Sequence, residues 1–294
     1  MKNRVLILGR TGMLGYMVYK VLARESDLAV SGTHRLDKMD PLYFEMEDGL
    51  EKLEVICRQA GGFEYFINCI GITADRIKVC DSKSLLSAIK VNAVFPHELA
   101  AFAENNDIRV IHISTDGVFS GHAESHDESS PPNSMDVYGR MKSLGEAISD
   151  RVLNIRCSII GPSPYTKGGL YEWFISQPGN AVVPGYTNHY WNGITTLQFA
   201  ELCSAIIESN QYDTLRSVSS VFHFAPNDFL SKYELLKLFQ TALRKDITVV
   251  PTEHPGGPVK RILKSKFREL EFLYKFGIPM GDVIYKMKLF EQNK

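Results

Sequence analysis

The sequence predicts an α/β protein: a Rossmann-type doubly wound parallel sheet with a smaller, mainly helical C-terminal substrate-binding region. Three observations carry this reading. Short β-rich runs alternate with amphipathic stretches through the first two thirds of the chain. Several runs are apolar almost throughout, the pattern of parallel strands covered on both faces. The first run opens directly into three evenly spaced glycines, Gly9, Gly12 and Gly15.

The runs, in order, are "RVLILG" (4–9), "LAVSGT" (28–33), "YFINCIG" (65–71), "RVIHIST" (109–115) and "VLNIRCSII" (152–160). Between them lie helix-like stretches such as "MLGYMVYKVLARE" and "NAVFPHELAAFAENN". After about residue 160 the rhythm loosens. "GPSPYTKGG" and "VVPGYTNHYWNG" are rich in Gly, Pro, Asn and aromatics and read as loops. Helices resume at "TTLQFAELCSAIIES" and "SKYELLKLFQTALRK". The expected organisation is a dinucleotide-binding domain at 1–160. A substrate-binding region at 161–294 caps the strand ends and partly returns to the Rossmann sheet.

Composition narrows the class. The chain has 294 residues, 44% of them hydrophobic, which suffices for a proper core. Its formal net charge is −1, so no global field draws it to nucleic acid or to a membrane surface. No apolar stretch with a cleavage site opens the sequence, and no window is long and apolar enough to span a bilayer. The five cysteines, Cys57, Cys69, Cys80, Cys157 and Cys203, form no C-x-x-C. They read as reduced thiols of a cytoplasmic protein, with no metal site expected.

The glycine turn suggests a dinucleotide. Gly9 allows the tight exit from the strand, Gly12 lets backbone approach a pyrophosphate, and Gly15 lets the helix lie close to the sheet. The spacing is G-x-x-G-x-x-G rather than the usual G-x-G-x-x-G. Arg10, Thr11, Met13 and Leu14 complete the turn, and Cys69, Ile70 and Gly71 close the third run on the same side. About 20 residues on, an acidic residue would hold the adenosine ribose. Here the chain reads "SGTHRLD", with His34 and Arg35 at that place and Asp37 as the remaining acidic candidate. Together with Arg10, Arg35 suits a 2′-phosphate. The expected cofactor is therefore NADPH, with NADH open.

Tyrosine and lysine stand four apart at Tyr138 and Lys142, a spacing that puts both on one helix face. The same spacing occurs at Tyr16 and Lys20 and at Tyr233 and Lys237, so spacing alone selects none of them.

Context selects one. "HISTDGVFSG" (112–121) followed by "YGRMKSLGE" (138–146) resembles the extended short-chain dehydrogenase/reductases, and within them the dTDP-4-dehydrorhamnose reductase family. "GRTGMLG", "FINCIGIT", "KVNAVFPHELA" and, more loosely, "KRILKSKF" extend the resemblance over nearly the whole chain. The resemblance implies a Ser/Thr at the end of the fifth strand, here Thr115, working with Tyr138 and Lys142. A tyrosine protonates the alkoxide left by hydride delivery, and a hydroxyl binds the same oxygen. It further implies that Lys142 lowers the tyrosine pKa and holds the nicotinamide ribose. Tyr16 and Tyr233 are expected at the surface or in packing. Thr73, in the loop after the fourth strand, matches a substrate-side threonine. Asp116, Lys167, Tyr190, Trp191 and Asn192 are the remaining substrate-side candidates. Asn92 is expected to tie helix to sheet, His112 to be a core strand residue, and His122 and His126 to lie in a solvated loop.

Two departures limit the transfer. Related 4,6-dehydratases carry Thr-Asp-Glu where this chain has Thr115, Asp116 and Gly117, and glycine offers no acid. The rhamnose-forming reductases carry an aromatic at Gly117 and a "GSPT"-like loop where this chain has "WNGITT". The implied activity is NADPH-dependent reduction of a nucleotide-linked 4-keto-6-deoxy sugar for surface-polysaccharide precursors. Alternatives are an NAD-dependent sugar-nucleotide 4-epimerase and a non-catalytic NADP(H)-binding regulatory subunit such as that of methionine adenosyltransferase. A homodimer is the assembly to test for.

Overall fold

The computed structural model describes residues 2–122 and 124–293. The first half comprises β1 (Asn3–Leu8), α1 (Met13–Leu22), β2 (Leu28–Gly32), α2 (Gly49–Ala60), β3 (Tyr65–Asn68), α3 (Ser82–Ile89), α4 (Phe95–Asn106), β4 (Arg109–Thr115), α5 (Val137–Leu144) and β5 (Val152–Cys157). A single π-helical turn, Lys90–Val94, joins α3 to α4. The second half comprises β6 (Ile159–Ile160), α6 (Leu170–Ser176), β7 (Ala181–Tyr186), β8 (His189–Trp191), β9 (Ile194–Thr195), α7 (Thr196–Glu208), α8 (Tyr212–Val218) and β10 (Val221–His223). It ends with β11 (Leu230–Ser231), α9 (Lys232–Leu243), β12 (Ile247–Thr252), β13 (Val259–Arg261), α10 (Glu269–Leu273) and α11 (Met280–Gln292).

Six parallel strands form the central sheet in the order β10-β5-β4-β3-β1-β2. Alternate residues of one strand face opposite sides. Val5 and Ile7 of β1 therefore join a core with α1 and α7, while Leu6 and Leu8 join another with α2 and α4. This is the doubly wound α/β fold that the apolar runs imply. The strand order reverses between β1 and β3, which opens a crevice at the carboxyl ends of the strands.

Three features differ from the sequence expectation. Thr115 closes the fourth strand, not a fifth, and Thr73 follows the third, not the fourth. After β2 an isolated parallel bridge pairs His34 with Tyr43, so strand numbering runs one lower than the resemblance implied. "VVPGYTNHYWNG" is not a loop: it forms β7, paired parallel with β12, and β8, held between β11 and β13. Pro184 is accommodated because β7 has a partner on one side only. Gly185 is needed because a Cβ there would press on the backbone and ring of Tyr233 in α9. His126 is not solvated: it is 6% exposed, and its ring stacks on Phe119 at 4.0 Å between centroids.

A buried ion pair ties the chain just past α5 to β5. Arg156 of β5 makes two 2.7 Å hydrogen bonds to Glu146, and both side chains are under 8% exposed. Ser114 of β4 donates to Glu146 at 2.5 Å, and His223 of β10 lies 3.3 Å from Arg156. Among the described residues no helix is long and apolar enough to cross a membrane.

Removing one member of a buried pair leaves an uncompensated charge and costs about 3–5 kcal/mol. Glu146→Ala should therefore lose that much stability in urea unfolding. Asp213→Ala, which breaks the exposed pair with Arg109, should lose under about 1 kcal/mol. Equal losses in the two variants would remove the network from the stability argument.

Candidate active site

The crevice is built first from the glycine turn. Gly9 has φ +84°, a left-handed value that favours glycine. A Cβ at Gly15 would run into the Gly9 carbonyl, so the turn and α1 close on each other only with glycine there. Thr33 at the end of β2 holds the turn: its Oγ1 accepts from Gly9 N–H at 2.9 Å and its carbonyl from Arg10 N–H at 2.8 Å. Thr33 was not singled out in the sequence, where a threonine after a strand carries no special signal. Gly12 caps α1 without a side chain, which leaves the N–H groups of the first turn, Met13 and Leu14, open toward an anion. Ile70 lies beside Gly9, so Cys69–Gly71 borders the same turn.

Arg10 passes over Gly32, where a Cβ would meet its side chain at 2.8 Å, and its guanidinium lies 5.3 Å from the Tyr19 ring. Arg35 is exposed nearby. His34, by contrast, is buried inside the 34–43 loop, with Nε2 3.0 Å from Asp40 and Nδ1 accepting from Leu36 N–H at 3.3 Å. Asp37 is exposed and accepts from Met39 N–H at 2.9 Å.

The second wall is the end of β4 and the start of α5. Thr115 Oγ1 accepts from Gly117 N–H at 3.0 Å and donates to Asp116 at 3.1 Å. Asp136 caps α5, accepting from Gly139 N–H at 2.7 Å. Two glycines let the helix approach: a Cβ at Gly139 would strike the Gly117 carbonyl, and one at Gly145 the Asn92 carbonyl. The result brings Tyr138 to Thr115. A Cβ at Gly117 would stand 3.3 Å from both Thr115 Oγ1 and Tyr138 Cε1.

The electrostatics differ from what the resemblance implied. Burial pushes the Tyr138 phenol up to about 12, and hydrogen bonding with the Thr115 hydroxyl pulls it back. Lys142 is not among the groups that act most strongly on it. That ammonium turns toward β4, where Nζ donates to the Ile113 carbonyl at 2.8 Å and lies 3.4 Å from His112 Nε2. Lys142 is only 4% exposed, and burial brings it down to about 8 against Glu146 and Cys157.

Asp116 is buried, which raises its carboxyl above the usual range, while Arg261 and Lys232 pull it down. Neither cation stood out in the sequence reading, because a small sheet, β11-β8-β13, brings them from far along the chain. Lys232 Nζ sits 4.5 Å over the Trp191 ring and is held down to about 8 by burial. Arg261, inside the quoted "KRILKSKF", reaches to 3.8 Å from Asp136.

The other candidates scatter. Trp191 is 2% exposed and packs in the core. Asn192 is buried and exchanges two hydrogen bonds with the Leu263 backbone, at 2.7 and 2.9 Å. Tyr190 is half-buried beside Phe229. Lys167 is exposed on a loop whose Gly169 lies against Met13 of the glycine turn, not against Thr115. Thr73 is exposed ahead of a 3-10 turn. Asn92 exchanges hydrogen bonds with the Ile72 backbone at 2.8 and 2.9 Å, fixing the loop after β3. Of the other pairs, Tyr16 and Lys20 both engage Glu291 of α11, and Tyr233 packs on the main core.

A doubly wound sheet, a glycine turn at the switch point, and Thr115, Tyr138 and Lys142 at the end of β4 and along α5 define an extended short-chain dehydrogenase/reductase. The chain belongs to the family described as "RmlD substrate binding domain", whose model matches residues 2–160. It is 31% identical over 245 residues, 77% of each chain, to the "Probable low-salt glycan biosynthesis reductase" of Haloferax volcanii. It is 23% identical over 263 residues, 86% of this chain and 74% of the relative, to methionine adenosyltransferase 2 subunit beta of Xenopus tropicalis. In fold it is similar to the dTDP-4-dehydrorhamnose reductase of Bacillus anthracis solved in complex with NADP, with TM-score 0.76, 17% identity and 98% of each chain covered.

The buried lysine has a pH signature. Its folded pKa, about 8, lies below the ordinary 10.5, so between those values the unfolded chain binds more protons and stability rises with pH. Against Lys142→Met, the wild type should gain on the order of 3 kcal/mol between pH 8 and 10.5. Urea unfolding at a series of pH values measures this; a difference that stays flat across the window would contradict it.

Proposed function

We propose that this protein is a cytoplasmic NADPH-dependent reductase acting on the 4-keto group of a nucleotide-linked 4-keto-6-deoxy sugar, in the supply of surface-polysaccharide precursors. The observation that carries the reading is the meeting of Thr115 and Tyr138 across Gly117, beside the dinucleotide crevice. Similarity to the Haloferax volcanii reductase supports it.

The residues present fit a dinucleotide, because the Gly9–Gly15 contact leaves a side-chain-free cradle at an uncapped helix N-terminus. Met13 and Leu14 would hold the pyrophosphate through backbone N–H groups, Arg10 and Arg35 a 2′-phosphate, and Cys69–Gly71 and Lys142 the nicotinamide half. When bound, the cofactor supplies the hydride. The Thr115 hydroxyl holds the substrate oxygen, and Tyr138 gives its phenolic proton to the alkoxide that forms there. The raised phenol pKa keeps that proton in place at neutral pH. Gly117 supplies no acid, which argues against dehydration. Residues 161–294 form the substrate side, where Lys232 and Arg261 add positive charge next to Asp116.

A second reading is a non-catalytic NADP(H)-binding regulatory subunit, favoured by the similarity to methionine adenosyltransferase 2 subunit beta. We also propose a homodimer, through the exposed apolar side chains Leu86, Ile89 and Val94 near α3 and α4 and Leu144 and Ile148 at the end of α5.

Tyr138→Phe keeps the ring and removes the proton donor. NADPH oxidation with a 4-keto sugar nucleotide should fall about 10²–10⁴-fold, with NADPH affinity kept. Near-normal turnover would move the regulatory reading to first place.

The Arg10→Ala/Arg35→Ala double variant should raise the Michaelis constant for NADPH and leave that for NADH nearly unchanged, since each charge-assisted hydrogen bond contributes about 1.5–3 kcal/mol. Equal losses for both cofactors would exclude a 2′-phosphate role for the pair.

A further inference from the structure

Behind Lys142 runs a buried chain of hydrogen bonds that the reductase reading does not use. Asn68 ends β3, His112 lies on β4, and both are 1% exposed. Asn68 Oδ1 accepts from Ile70 N–H at 3.1 Å. A backbone N–H can only donate, so this contact fixes the amide: its oxygen faces Ile70 and its nitrogen faces His112. Asn68 Nδ2 lies 3.0 Å from His112 Nδ1. An amide nitrogen also only donates, so Nδ1 must offer its lone pair. A neutral imidazole carries one N–H, which then stands on Nε2 and points at Lys142 Nζ, 3.4 Å away. Nζ donates to the Ile113 carbonyl at 2.8 Å. Only an amine nitrogen has a lone pair to receive the His112 proton; an ammonium has none.

We propose that Asn68 and His112 are positioning residues that lock His112 as its Nε2–H tautomer and so bias Lys142 toward the neutral amine. The chain is fully satisfied in that state alone. With Lys142 as ammonium, either two donors face each other at Nζ or the Asn68 amide turns and confronts Ile70 N–H. The bias adds to burial, which by itself disfavours the charge on both His112 and Lys142. Other groups facing the pair are Glu146 beyond α5 and Cys157 on β5, which favour the ammonium, and His97 on α4, which disfavours charge on His112. Lys142 is thereby poised between its two forms near pH 8, close enough to working pH for a group both to give and to recover a proton. Because Asn68 also holds Ile70, the same amide links the cofactor-side loop to the state of the lysine.

The proposal rests on the reductase reading for its use in catalysis, but its first test needs no turnover. Long-range proton–nitrogen NMR of histidine-labelled protein, with His112→Phe identifying the signal, should find His112 neutral with the proton on Nε2 from about pH 8.5 to 9.5, where Lys142 is mostly the amine. A proton on Nδ1, or an imidazolium in that range, would overturn the proposal whatever the enzyme does.

The second test reverses the chain. Asn68→Asp keeps the acceptor for Ile70 N–H but replaces the donor with a carboxylate oxygen, so Nδ1 must carry the proton and Nε2 must accept from an ammonium. The His112 signal should switch tautomer, and the alkaline limb of the pH profile for kcat/KM should move up by roughly one pH unit, the size of one hydrogen bond. His112→Phe keeps the ring volume, removes the donor to the amine, and should also move the limb up. Thermal melts identify any variant that fails to fold, and the wild-type tautomer then decides alone. An unmoved limb in folded variants would reduce the chain to packing.

Discussion

Backbone contact at the two ends of α5 is the constraint on which the site depends. At Gly139 the helix touches the carbonyl of Gly117, and at Gly145 it touches that of Asn92. A side chain at either position would push the helix away from β4. Tyr138 would then leave Thr115, and Lys142 would leave the Ile113 carbonyl. The contacts reach further. Asn92 lies in the π turn and fixes Ile72 through two hydrogen bonds, so the loop after β3 is placed by the same packing that places the tyrosine. Glu146, one residue past Gly145, anchors to Arg156 on β5.

Burial explains why the polar groups at this site depart from their ordinary protonation. Removing a charge from water favours the neutral form of an acid or a base. Tyr138 keeps its proton, Lys142 and Lys232 move toward the amine, and the Asp116 carboxyl rises. The Lys142 amine makes its hydrogen bond to β4 rather than to the phenol. The Thr115 hydroxyl is the group that pulls the phenol pKa down.

Much of this was legible in the sequence, and the boundary of legibility is physical. Near-continuous apolar runs reveal strands buried on two faces, so the central sheet could be read from β1 to β5. The glycine turn could be read because it depends on local chain geometry, whereas the Thr115, Tyr138 and Lys142 set is picked out only by the resemblance, since the same Tyr/Lys spacing occurs twice more. β7 and β8 could not be read, since their strand character comes from partners 60 or more residues away, as at Ala181 with Ile247. Nothing in the residues around His126 reports its stacking on Phe119, so the sequence suggests only a loop there. His112 looked like a core residue, and it is buried; only the directions of its neighbours' donors give it a chemical state.

The two halves of the chain contribute different kinds of information to one crevice. β4 and α5 supply Thr115, Tyr138 and Lys142, all within residues 109–144. The small β11-β8-β13 sheet supplies Lys232 and Arg261, which act on Asp116 from the other side. Register in that sheet sets Arg261 opposite Trp191 and Ser231 opposite Tyr190, so Trp191 lies as the buried floor under Lys232. A change of loop length or register there would move the cations without touching Thr115 or Tyr138. Chemistry and selectivity are thus mechanically separable in this fold, which is why the reaction type can be read from short motifs while the identity of the sugar depends on pairings that no short motif encodes.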